Sequence, residues 1–437
     1  MGRTLIHSAV IVPVIDDSYF KEGYLVIDGN RIAEVGEGAY TGSTDGFDRV
    51  VDAKGKLAMP GLVNTHGHAA MTLLRGYADD MPLQQWLEER CWPIEAKMND
   101  DDIYWGSQLA ILEMLKGGTT TFTDMFYFMD RTAQAAEESG IRAVLSRGLV
   151  GFDPENGRNL IGQAVEFNKK WHKAANGRIT TMFGPHAQYT CPNDYLEQVV
   201  KISEEMDFPL QIHMSETAFE VEQCKQQNDG LTPPQLFEKL GLFNRPTVVA
   251  HAVHVTDEDI AILKKYDVKI AHNPDSNLKL GSGVAPALKL LEAGLTVGLG
   301  TDGAASNNNL DMFEEMRMAA MLHKGVNQDA VAVNAFKAVQ MATNEGAKAL
   351  FLEDTLGTLQ QGALADVILL DIEQPHYYPH RHNFIAHLAY ASNSHDVTHV
   401  FVDGQLVVED RKVLTMDEKR IYQEVERICE RLYADAK

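Results

Sequence analysis

Short apolar runs separated by turn residues occupy both ends of the chain and predict β-strands. These runs cover residues 9–12, 24–27, 31–35, 50–51, 365–370 and 399–408. Asp28 and Gly29 lie between two of the runs and predict a hairpin, because glycine accepts the positive φ of a type I′ turn. Two short sets of strands seldom bury enough surface separately. We therefore expect one small β domain assembled from residues 1–57 and 365–437.

The middle of the chain, residues 58–364, alternates apolar strand-like runs with amphipathic helical stretches. The predicted strands cover residues 57–65, 119–124, 142–149, 179–184, 209–213, 247–251, 268–272 and 295–301. Helices are predicted over residues 101–116, 132–139, 193–206 and 257–265. Eight strands with helices between them predict a (β/α)8 barrel. The alternative is an open doubly wound sheet, which more often has a glycine-rich phosphate turn after its first strand, and this sequence has none there.

The composition is that of a globular protein with an acidic surplus. The chain has 437 residues, of which 45% are hydrophobic and 23% charged, so it can bury a sizeable core. Lys and Arg number 39 against 62 Asp and Glu, which gives a formal charge of −23 at pH 7. Nucleic-acid binding relies largely on Lys and Arg contacts to phosphate. The charge therefore argues against nucleic acid and anionic membrane surfaces as partners.

Cysteine usage and the amino terminus favour a cytoplasmic protein. The four cysteines lie far apart without a C-x-x-C pair, which argues against a disulfide framework and a cysteine zinc site. The first 17 residues lack the basic and long apolar segments of a signal peptide. No run approaches the roughly 18 apolar residues that a membrane helix needs. We expect a soluble, cytoplasmic protein, and the sequence leaves its oligomeric state open, with a homo-oligomer as one alternative.

Polar side chains of similar type recur where the predicted barrel strands end. They are His66, His68, His186, His213, Glu216, His251, His272 and Asp302. In a barrel of parallel strands these ends converge on one mouth, where the active sites of this fold lie. A single buried histidine is usually a hydrogen-bonded core residue, and we expect that role for His272. Burying several imidazoles and carboxylates together is costly unless they are paired or hold a metal ion.

His66 and His68 form an H-x-H pair, whose side chains point to the same side of a strand because strand side chains alternate. The pair alone is weak support for a metal site. His213 and Asp302, at the ends of the fifth and eighth strands, complete a set of three histidines and one aspartate. Imidazole and carboxylate ligands suit zinc, iron(II) and manganese. Zinc is the first expectation, with iron(II) as the alternative.

With these residues in place, the sequence resembles the amidohydrolase superfamily and, within it, the deaminases that act on 5′-methylthioadenosine and S-adenosylhomocysteine. The matching motifs lie at residues 59–68 (MPGLVNTHGH), 213–216 (HMSE), 272–277 (HNPDSN), 300–303 (GTDG) and 362–368 (GALADVI). The resemblance covers essentially the whole chain. It implies a TIM barrel with a flanking β-sandwich domain formed from both chain ends.

The resemblance also implies one catalytic metal ion, with His66, His68, His213 and Asp302 as its ligands. Binuclear members of the superfamily use a carboxylated lysine at a barrel strand end to bridge two ions. Here the fourth strand ends in Gly184-Pro185-His186, and the nearby lysines lie in predicted helices. We therefore expect one divalent ion per chain.

The reaction that the resemblance implies is hydrolytic deamination of an adenine ring, with release of ammonia. Glu216 is expected to take a proton from water and deliver it to N1 of the purine. His251 is expected to polarise the attacking water, and Asp302 to accept its proton while holding the metal. The alternative for Glu216 is a capping carboxylate at the start of the next helix.

Substrate contacts follow from the same resemblance. Glu95 is placed against the ribose hydroxyls, Arg147 against a carboxylate end such as that of homocysteine, and His186 beside the purine. Trp86 offers an apolar wall to the thioether. The alternative for Glu95 and Trp86 is a packed lid without a binding role, and a second arginine, expected near Arg158, stays unassigned. The preferred adenosine-type small-molecule substrate, a thioether or a nucleoside, is left open.

Two other functions remain as alternatives. Another mononuclear amidohydrolase, such as a guanine deaminase or a triazine chlorohydrolase, would use the same metal centre on a different ring. A non-catalytic barrel scaffold would more naturally have lost metal ligands, whereas here all four are present together with Glu216.

Overall fold

Strands occupy both ends and the middle of the chain in the structure, a computed structural model that describes residues 2–353 and 355–434. In chain order they are β1 (Arg3–Ile11), β2 (Phe20–Asp28), β3 (Arg31–Glu37), β4 (Arg49–Asp52), β5 (Lys56–Pro60), β6 (Leu62–Asn64), β7 (Thr119–Phe126), β8 (Arg142–Leu149), β9 (Ile179–Thr181), β10 (Gly184–Pro185), β11 (Leu210–Met214), β12 (Thr247–His251), β13 (Lys269–His272), β14 (Val297–Leu299), β15 (Val367–Asp371), β16 (Val397–Val402), β17 (Gln405–Glu409) and β18 (Lys412–Val413).

The strands from the two chain ends form one nine-stranded sheet, in the order β18-β17-β16-β15-β5-β1-β2-β3, with β4 beside β1. β5 and β15 join the two ends, because they pair antiparallel over their whole lengths. Leu25, Val367 and Phe401 belong to a separate apolar core that this sheet encloses. The prediction of a small β domain formed from both chain ends is therefore confirmed. Its boundaries at residues 57/58 and 364/365 stay a prediction.

The predicted hairpin between β2 and β3 is present, but its turn differs from the expected type. Asp28 pairs with Arg31, so Gly29 and Asn30 form the two-residue loop. Of these two residues Gly29 alone has a positive φ, 63°. A type I′ turn needs positive φ at both loop residues, whereas a type II′ turn needs it only at the first. The turn therefore follows the type II′ pattern.

Parallel strands in the middle of the chain close into a barrel. One sheet contains β6 to β10 and a second contains β11 to β14. Phe183 bridges Leu210 at one seam between the sheets, and the Thr65 amide donates to the Leu299 carbonyl at 2.9 Å at the other. β9 and β10 are consecutive pieces of one strand position, so the barrel has the eight positions that the sequence predicts. The (β/α)8 barrel is confirmed.

Two of the predicted strands are interrupted. Residues 57–65, expected as one strand, form β5 in the terminal sheet and β6 in the barrel. Gly61 lies at this change of sheet, where a Cβ atom would collide with the Thr120 side chain. Residues 179–184, also expected as one strand, are divided into β9 and β10. The apolar runs continue through both breaks, so hydrophobicity alone does not show where a strand leaves its sheet.

Helices lie between the barrel strands and near the end of the chain. They are α1 (Leu83–Trp86), α2 (Trp92–Glu95), α3 (Asp100–Lys116), α4 (Met129–Ser139), α5 (Pro154–Trp171), α6 (Asn193–Met206), α7 (Ala218–Gln227), α8 (Pro233–Lys239), α9 (Asp257–Lys265), α10 (Pro274–Lys279), α11 (Ala287–Glu292), α12 (Ala304–Asn307), α13 (Met312–Asn327), α14 (Ala335–Met341), α15 (Asn344–Ala349), α16 (Phe384–Tyr390) and α17 (Glu418–Leu432). A π-helical turn, Leu87–Cys91, joins α1 to α2, and 3-10 turns cover Ala69–Leu74, Ala175–Gly177, Leu242–Asn244, Pro375–Tyr377 and Ser394–Asp396.

Two helices match their predicted bounds, α6 at residues 193–206 and α9 at residues 257–265. α9 begins where it does because Thr256 and Asp259 each accept a hydrogen bond from the other's backbone amide, which forms a capping box. In the part of the chain that the structure describes, no helix has both the length and the apolar composition needed to cross a membrane.

A buried ion cluster joins the barrel to the terminal sheet. Arg142, at the start of β8, donates to Asp366 through Nε at 3.1 Å and through Nη2 at 2.9 Å. The same Nη2 lies 3.2 Å from Asp403, which follows β16. None of the three residues is more than 5% exposed. The guanidinium therefore compensates two carboxylates that water does not reach.

Replacing this guanidinium should destabilise the fold strongly. Arg142→Ala is expected to lower the free energy of unfolding by about 3–5 kcal/mol, because it leaves buried charges without their partner. The matched control is Lys201→Ala, which removes an exposed lysine 3.9 Å from Glu205 on α6 and should change stability by less than about 0.5 kcal/mol. Urea unfolding followed by circular dichroism measures both, and equal losses in the two variants would contradict the structural role of Arg142.

Candidate metal centre and active-site cavity

Side chains that could hold a metal ion meet at the carboxyl-terminal mouth of the barrel. The ligand atoms of His66, His68 and His213 lie within 4.8 Å of one another. Asp302 Oδ1 lies 3.4 Å from His66 Nε2 and 3.3 Å from His68 Nε2. The structure thus brings together the four residues proposed as ligands from the sequence. His66, Asp302 and His251 meet the same 4.8 Å limit, so His251 borders the same space.

Turns after the strands, as well as the strands themselves, direct these side chains. β6 ends at Asn64, so His66 and His68 follow the strand instead of lying in it. The pair therefore converges through loop geometry and not through the strand alternation expected from the sequence. His251 and Asp302 have positive φ values of 77° and 60°, a region that residues other than glycine seldom occupy. Such left-handed residues change the chain direction at the strand ends, where the polar groups meet.

The donor set fits a divalent cation. His66 Nε2 is buried, and no group in residues 2–353 or 355–434 forms a hydrogen bond with it. Nε2 of His213 and Nε2 of His68 lie only 3.3 Å apart. Burial lowers the pKa of His66 to about 4 and the pKa of His213 well below its ordinary value. Neutral imidazoles and a carboxylate that face a common space are ligands that zinc and iron(II) accept.

Backbone carbonyls fix the tautomer of two of these histidines. His68 Nδ1 donates to the Met125 carbonyl at 2.8 Å, and His213 Nδ1 donates to the His186 carbonyl at 2.7 Å. A carbonyl oxygen only accepts, so each ring carries its proton on Nδ1 and its lone pair on Nε2. A metal-ligating histidine needs this orientation, with the second nitrogen held by an acceptor.

Polar side chains from neighbouring elements orient Asp302 and His251. Asp302 Oδ2 accepts from Ser276 Oγ at 2.7 Å and from Ser306 Oγ at 2.8 Å, which leaves Oδ1 beside the histidines. His251 Nδ1 lies 2.9 Å from Asn277 Oδ1, an acceptor, and 3.3 Å from Asn273 Nδ2; the shorter contact favours a proton on Nδ1 and the lone pair on Nε2. Ser276 and Asn277 belong to the motif at residues 272–277. The sequence pointed to that segment but not to these contacts.

Glu216 faces the same space from the turn after β11. Its Oε2 lies 3.7 Å from His251 Nε2, and Ser282 Oγ lies 3.5 Å from its Oε1. Burial and the nearby charge of Asp302 raise the pKa of Glu216 to about 8. The carboxyl is therefore largely protonated near neutral pH and can donate a proton. Thr217, and not Glu216, is the N-cap residue of α7.

A cavity of about 680 Å³, part of it open to solvent, lies over these groups. His68, His213, Asp302, Glu216 and His251 form its floor, at the barrel mouth. Its roof comes from the segment of α1, the π-helical turn and α2, and the roof side chains are Leu83, Trp86, Leu87, Trp92 and Glu95.

Three of the proposed substrate contacts line this cavity. Glu95 and Trp86 lie in its roof, and His186 lies in its wall. Burial raises the pKa of Glu95 to about 7, so this carboxyl titrates near neutral pH. Burial lowers the pKa of His186 to about 3, and its Nδ1 lies 2.9 Å from Thr190 Oγ1. Trp86 Nε1 donates to the Ala78 carbonyl at 3.1 Å, which fixes the indole ring in the roof.

Arg147 lies in an adjoining outer cavity. Glu95 and His186 line both the inner and the outer cavity, so the two cavities adjoin. The Arg147 guanidinium carbon lies 5.5 Å from the centroid of the Tyr127 ring, within the range of a cation–π contact. The structure therefore separates Arg147 from the metal-binding cluster. The guanidinium contacts the Gly148 carbonyl at 2.9 Å and Gln163 Oε1 at 3.3 Å.

Sequence reasoning did not identify Tyr189 and Ser282 as site residues. Tyr189 lines the cavity and packs its ring edge against His186, with 5.7 Å between the ring centroids. In the sequence, Tyr189 lies three residues after His186, in the loop that follows the fourth strand position, and this proximity is the feature that could have indicated it. Ser282 lies beyond α10 and had no signal of its own. His272 hydrogen-bonds His323 Nε2 at 3.0 Å, the supporting role that we expected.

Comparison with known proteins matches the chain to one family along most of its length. The amidohydrolase family profile matches residues 57–407. A 5-methylthioadenosine/S-adenosylhomocysteine deaminase of Desulforudis audaxviator is 50% identical over 430 residues, which cover 98% of this chain and 99% of that protein. A deaminase of the same name from Dictyoglomus thermophilum is 49% identical over 425 residues, 97% of this chain and 98% of that protein.

Solved structures share the fold over nearly the whole chain. An adenosine deaminase from Xanthomonas campestris with bound zinc has a TM-score of 0.93 and 33% identity, and the match covers 99% of this chain and 98% of that one. Atrazine chlorohydrolase from Arthrobacter aurescens TC1, complexed with zinc, has a TM-score of 0.89 and 25% identity, with 98% and 100% covered.

Metal binding at the histidine cluster should stabilise the folded chain, because an ion that binds only the folded state raises the free energy of unfolding. After chelation and dialysis, zinc is expected to raise the thermal midpoint Tm, and calorimetric titration should saturate near one ion per chain. His66→Ala should weaken zinc affinity by more than about 100-fold, since even residues that only support a ligand contribute about 10–100-fold.

The matched control is His272→Ala, which removes another buried histidine, the last residue of β13. This variant should lower the Tm of the metal-free protein but keep the zinc-dependent rise. Saturation near two ions per chain, or an unchanged rise in His66→Ala, would contradict the proposed centre.

Proposed function

The chain belongs to the amidohydrolase family, and from that membership we propose that it hydrolytically deaminates the adenine ring of S-adenosylhomocysteine, 5′-methylthioadenosine or both. The products are the inosine analogue and ammonia. The observation that carries this proposal is the buried carboxyl of Glu216, 3.7 Å from His251, beside the His/Asp metal-binding cluster. Relatives at 50% and 49% identity that carry the deaminase name support the choice of substrate.

We infer that each chain holds one divalent ion, with His66, His68, His213 and Asp302 as ligands. Zinc is the first choice, because the adenosine deaminase structure with 33% identity contains zinc, and iron(II) is the alternative. When bound, such an ion would supply a strong nucleophile at neutral pH, because it lowers the pKa of a water ligand to about 7.

Proton transfer is the task of the carboxyls and of His251. The reaction forms a C6–O bond and breaks the C6–N bond of the adenine, and the two protons of water end on N1 and on the departing amine. Glu216, protonated near neutral pH, donates to N1 and then accepts a proton from the attacking water. His251 Nε2 accepts a hydrogen bond from that water, since Asn277 holds the ring proton on Nδ1. Asp302 Oδ1 accepts the remaining proton and passes it to the leaving amine.

The shape of the site supports an adenosine-type substrate with a 5′ substituent. The purine would lie in the inner cavity, between Glu216 on the floor and Trp86 in the roof. The Glu95 carboxylate, at the passage between the two cavities, would accept hydrogen bonds from both ribose hydroxyls. Arg147, in the outer cavity, would bind the carboxylate of a homocysteine tail through its planar fork.

The competing function is that of another amidohydrolase acting on a ring without ribose. The likeness to atrazine chlorohydrolase, at a TM-score of 0.89, favours keeping it as the second candidate. Such an enzyme would use the same floor of the cavity. It would have no use for a carboxylate placed at Glu95, so this residue separates the two functions.

The proposed reaction predicts an ultraviolet change from adenine to hypoxanthine with S-adenosylhomocysteine, 5′-methylthioadenosine and adenosine. Guanine, whose deamination would give xanthine, completes the panel as a test of the competing function. With the metal fully loaded, the adenosine thioethers should be deaminated, and Glu216→Gln should lower kcat by about 100- to 10,000-fold, the usual contribution of a general acid–base. The absence of turnover of every adenosine compound by fully loaded wild-type protein would overturn the proposal.

The Glu95 carboxylate should affect the turnover of nucleosides and not that of a base without ribose. Glu95→Ala is expected to lower kcat/KM for the adenosine thioethers by about 100-fold, since loss of a charged hydrogen-bond acceptor costs about 1.5–3 kcal/mol. It should leave turnover of free adenine, which has no ribose, at its wild-type level. The control Glu89→Ala removes an exposed carboxylate from the same roof segment and should change neither rate.

The pH profile provides a second measure of the same contact. Burial raises the pKa of Glu95 to about 7, and only the ionised carboxylate accepts from both ribose hydroxyls. The carboxyl gains its proton as the pH falls, so kcat/KM for the thioethers should decline below about pH 7. Glu95→Gln, which does not titrate, should decline less steeply than the wild type and should follow the profile of free adenine; an identical decline in both proteins would argue against ribose binding by Glu95.

A further inference from the structure

A buried carboxylate that the proposed mechanism does not use lies behind Glu216. Glu220, in the first turn of α7, is 3% exposed. Its Oε1 accepts the backbone amide of Ser215 at 3.0 Å, and its Oε2 accepts the backbone amide of Glu216 at 2.7 Å. One side chain thus binds two consecutive amides, and the second belongs to the proposed acid/base.

These amides belong to a turn whose backbone conformation is unfavourable unless other contacts stabilise it. Ser215 has a φ of 52°, in the left-handed region that serine seldom occupies. Its carbonyl accepts the amides of Val253 at 3.1 Å and His254 at 2.9 Å, both from the loop after β12. Within residues 2–353 and 355–434, the turn is therefore held on its carbonyl side by backbone amides and on its amide side by the Glu220 carboxylate. Without Glu220, two buried amides would lack their acceptor.

The contact differs from ordinary helix capping. In a capping box, the acidic residue in the first turn reaches back to the amide of the N-cap residue. The N-cap here is Thr217, and its Oγ1 accepts the Glu220 amide at 3.1 Å as the motif requires. The Glu220 carboxylate passes over Thr217 and binds the two residues before it. Its contacts therefore serve the turn that carries Glu216 and not the helix end.

We propose that Glu220 is a positioning residue for deamination, which sets the direction in which the Glu216 carboxyl enters the cavity. The inference rests on the proposed function, in which Glu216 carries protons between the water and N1. The polar contacts of the Glu216 side chain with the described part of the chain are long, 3.7 Å to His251 and 3.5 Å to Ser282. Its placement therefore depends on its backbone. Glu220 fixes that backbone by binding the amide of Glu216 and the amide of the preceding residue, Ser215.

Replacing Glu220 should lower kcat far more than it changes KM. Glu220→Ala removes both acceptors, and a displacement of about 1 Å at a catalytic group costs on the order of 100-fold in rate. Glu220→Gln keeps one oxygen for one of the two amides, so its kcat should lie between those of Glu220→Ala and the wild type. If the alanine variant does not fold, the kcat of Glu220→Gln tests the proposal instead.

A double-mutant cycle distinguishes positioning from a general structural effect. In the Glu216→Gln background, Glu220→Gln should change the residual kcat by less than about twofold, because both changes act through one group. The matched control is Asp259→Asn, which alters the buried capping-box carboxylate at the same position of α9. It should lower Tm without lowering kcat.

Metal content and amide hydrogen exchange complete the test. Each Glu220 variant should keep its zinc, and exchange of the peptide that contains residues 215–216 should become faster. Unchanged kcat and exchange, a loss of kcat that follows loss of zinc, or full additivity with Glu216→Gln would overturn the inference. If the loaded wild type deaminates no adenosine compound, the proposed function fails, and unchanged exchange in Glu220→Gln would separately show that Glu220 does not hold the turn.

Discussion

The cost of burying polar side chains together is the constraint on which the site depends. Three imidazoles and an aspartate meet at the barrel mouth, where desolvation lowers the pKa of His66 to about 4. In the described residues, His66 Nε2 makes no well-formed hydrogen bond, and the nearest carboxylate oxygen, Asp302 Oδ1, lies 3.4 Å away; burying such a polar atom costs free energy unless an ion supplies the contact. Carbonyls and serines occupy the outward-facing atoms of His68, His213 and Asp302, so the remaining lone pairs face inward. The packing of the mouth therefore makes the cluster a cation site before any substrate is considered.

The same mouth depends on backbone conformations that strands do not provide. Ser215, His251 and Asp302 all have positive φ values, 52°, 77° and 60°. Left-handed residues other than glycine persist only where surrounding contacts over-determine them. Asn277 and Glu220 provide part of that support, through the ring of His251 and through two backbone amides. The strands thus fix the position of the backbone at the mouth, and the supported turns fix the direction of the polar side chains.

The sequence predicts the barrel and the residues at its mouth because both depend on local patterns. Alternating strands and helices specify the architecture. The start of α9 follows from a capping box, whose two residues, Thr256 and Asp259, can be recognised in the sequence. The break at Gly61 could not be predicted, since the apolar run continues while the chain changes sheets. The contacts of Glu220 could not be predicted either, because they involve backbone amides, which every residue has. Polar residue types are visible in a sequence; the hydrogen bonds that orient them depend on the tertiary fold.

In the proposed function, the two adjoining cavities would separate the chemistry of the site from the recognition of the substrate tail. His68, His213, Asp302 and Glu216 line the inner cavity, whereas Arg147 lines the outer one. Glu95 borders both, so in the proposed binding mode, with the ribose beside Glu95, a 5′ substituent would extend toward Arg147. The reacting atoms would then occupy one position whatever the length of that substituent. A short thioether and a homocysteine thioether would share one set of proton transfers, and contacts in the outer cavity would distinguish them by affinity.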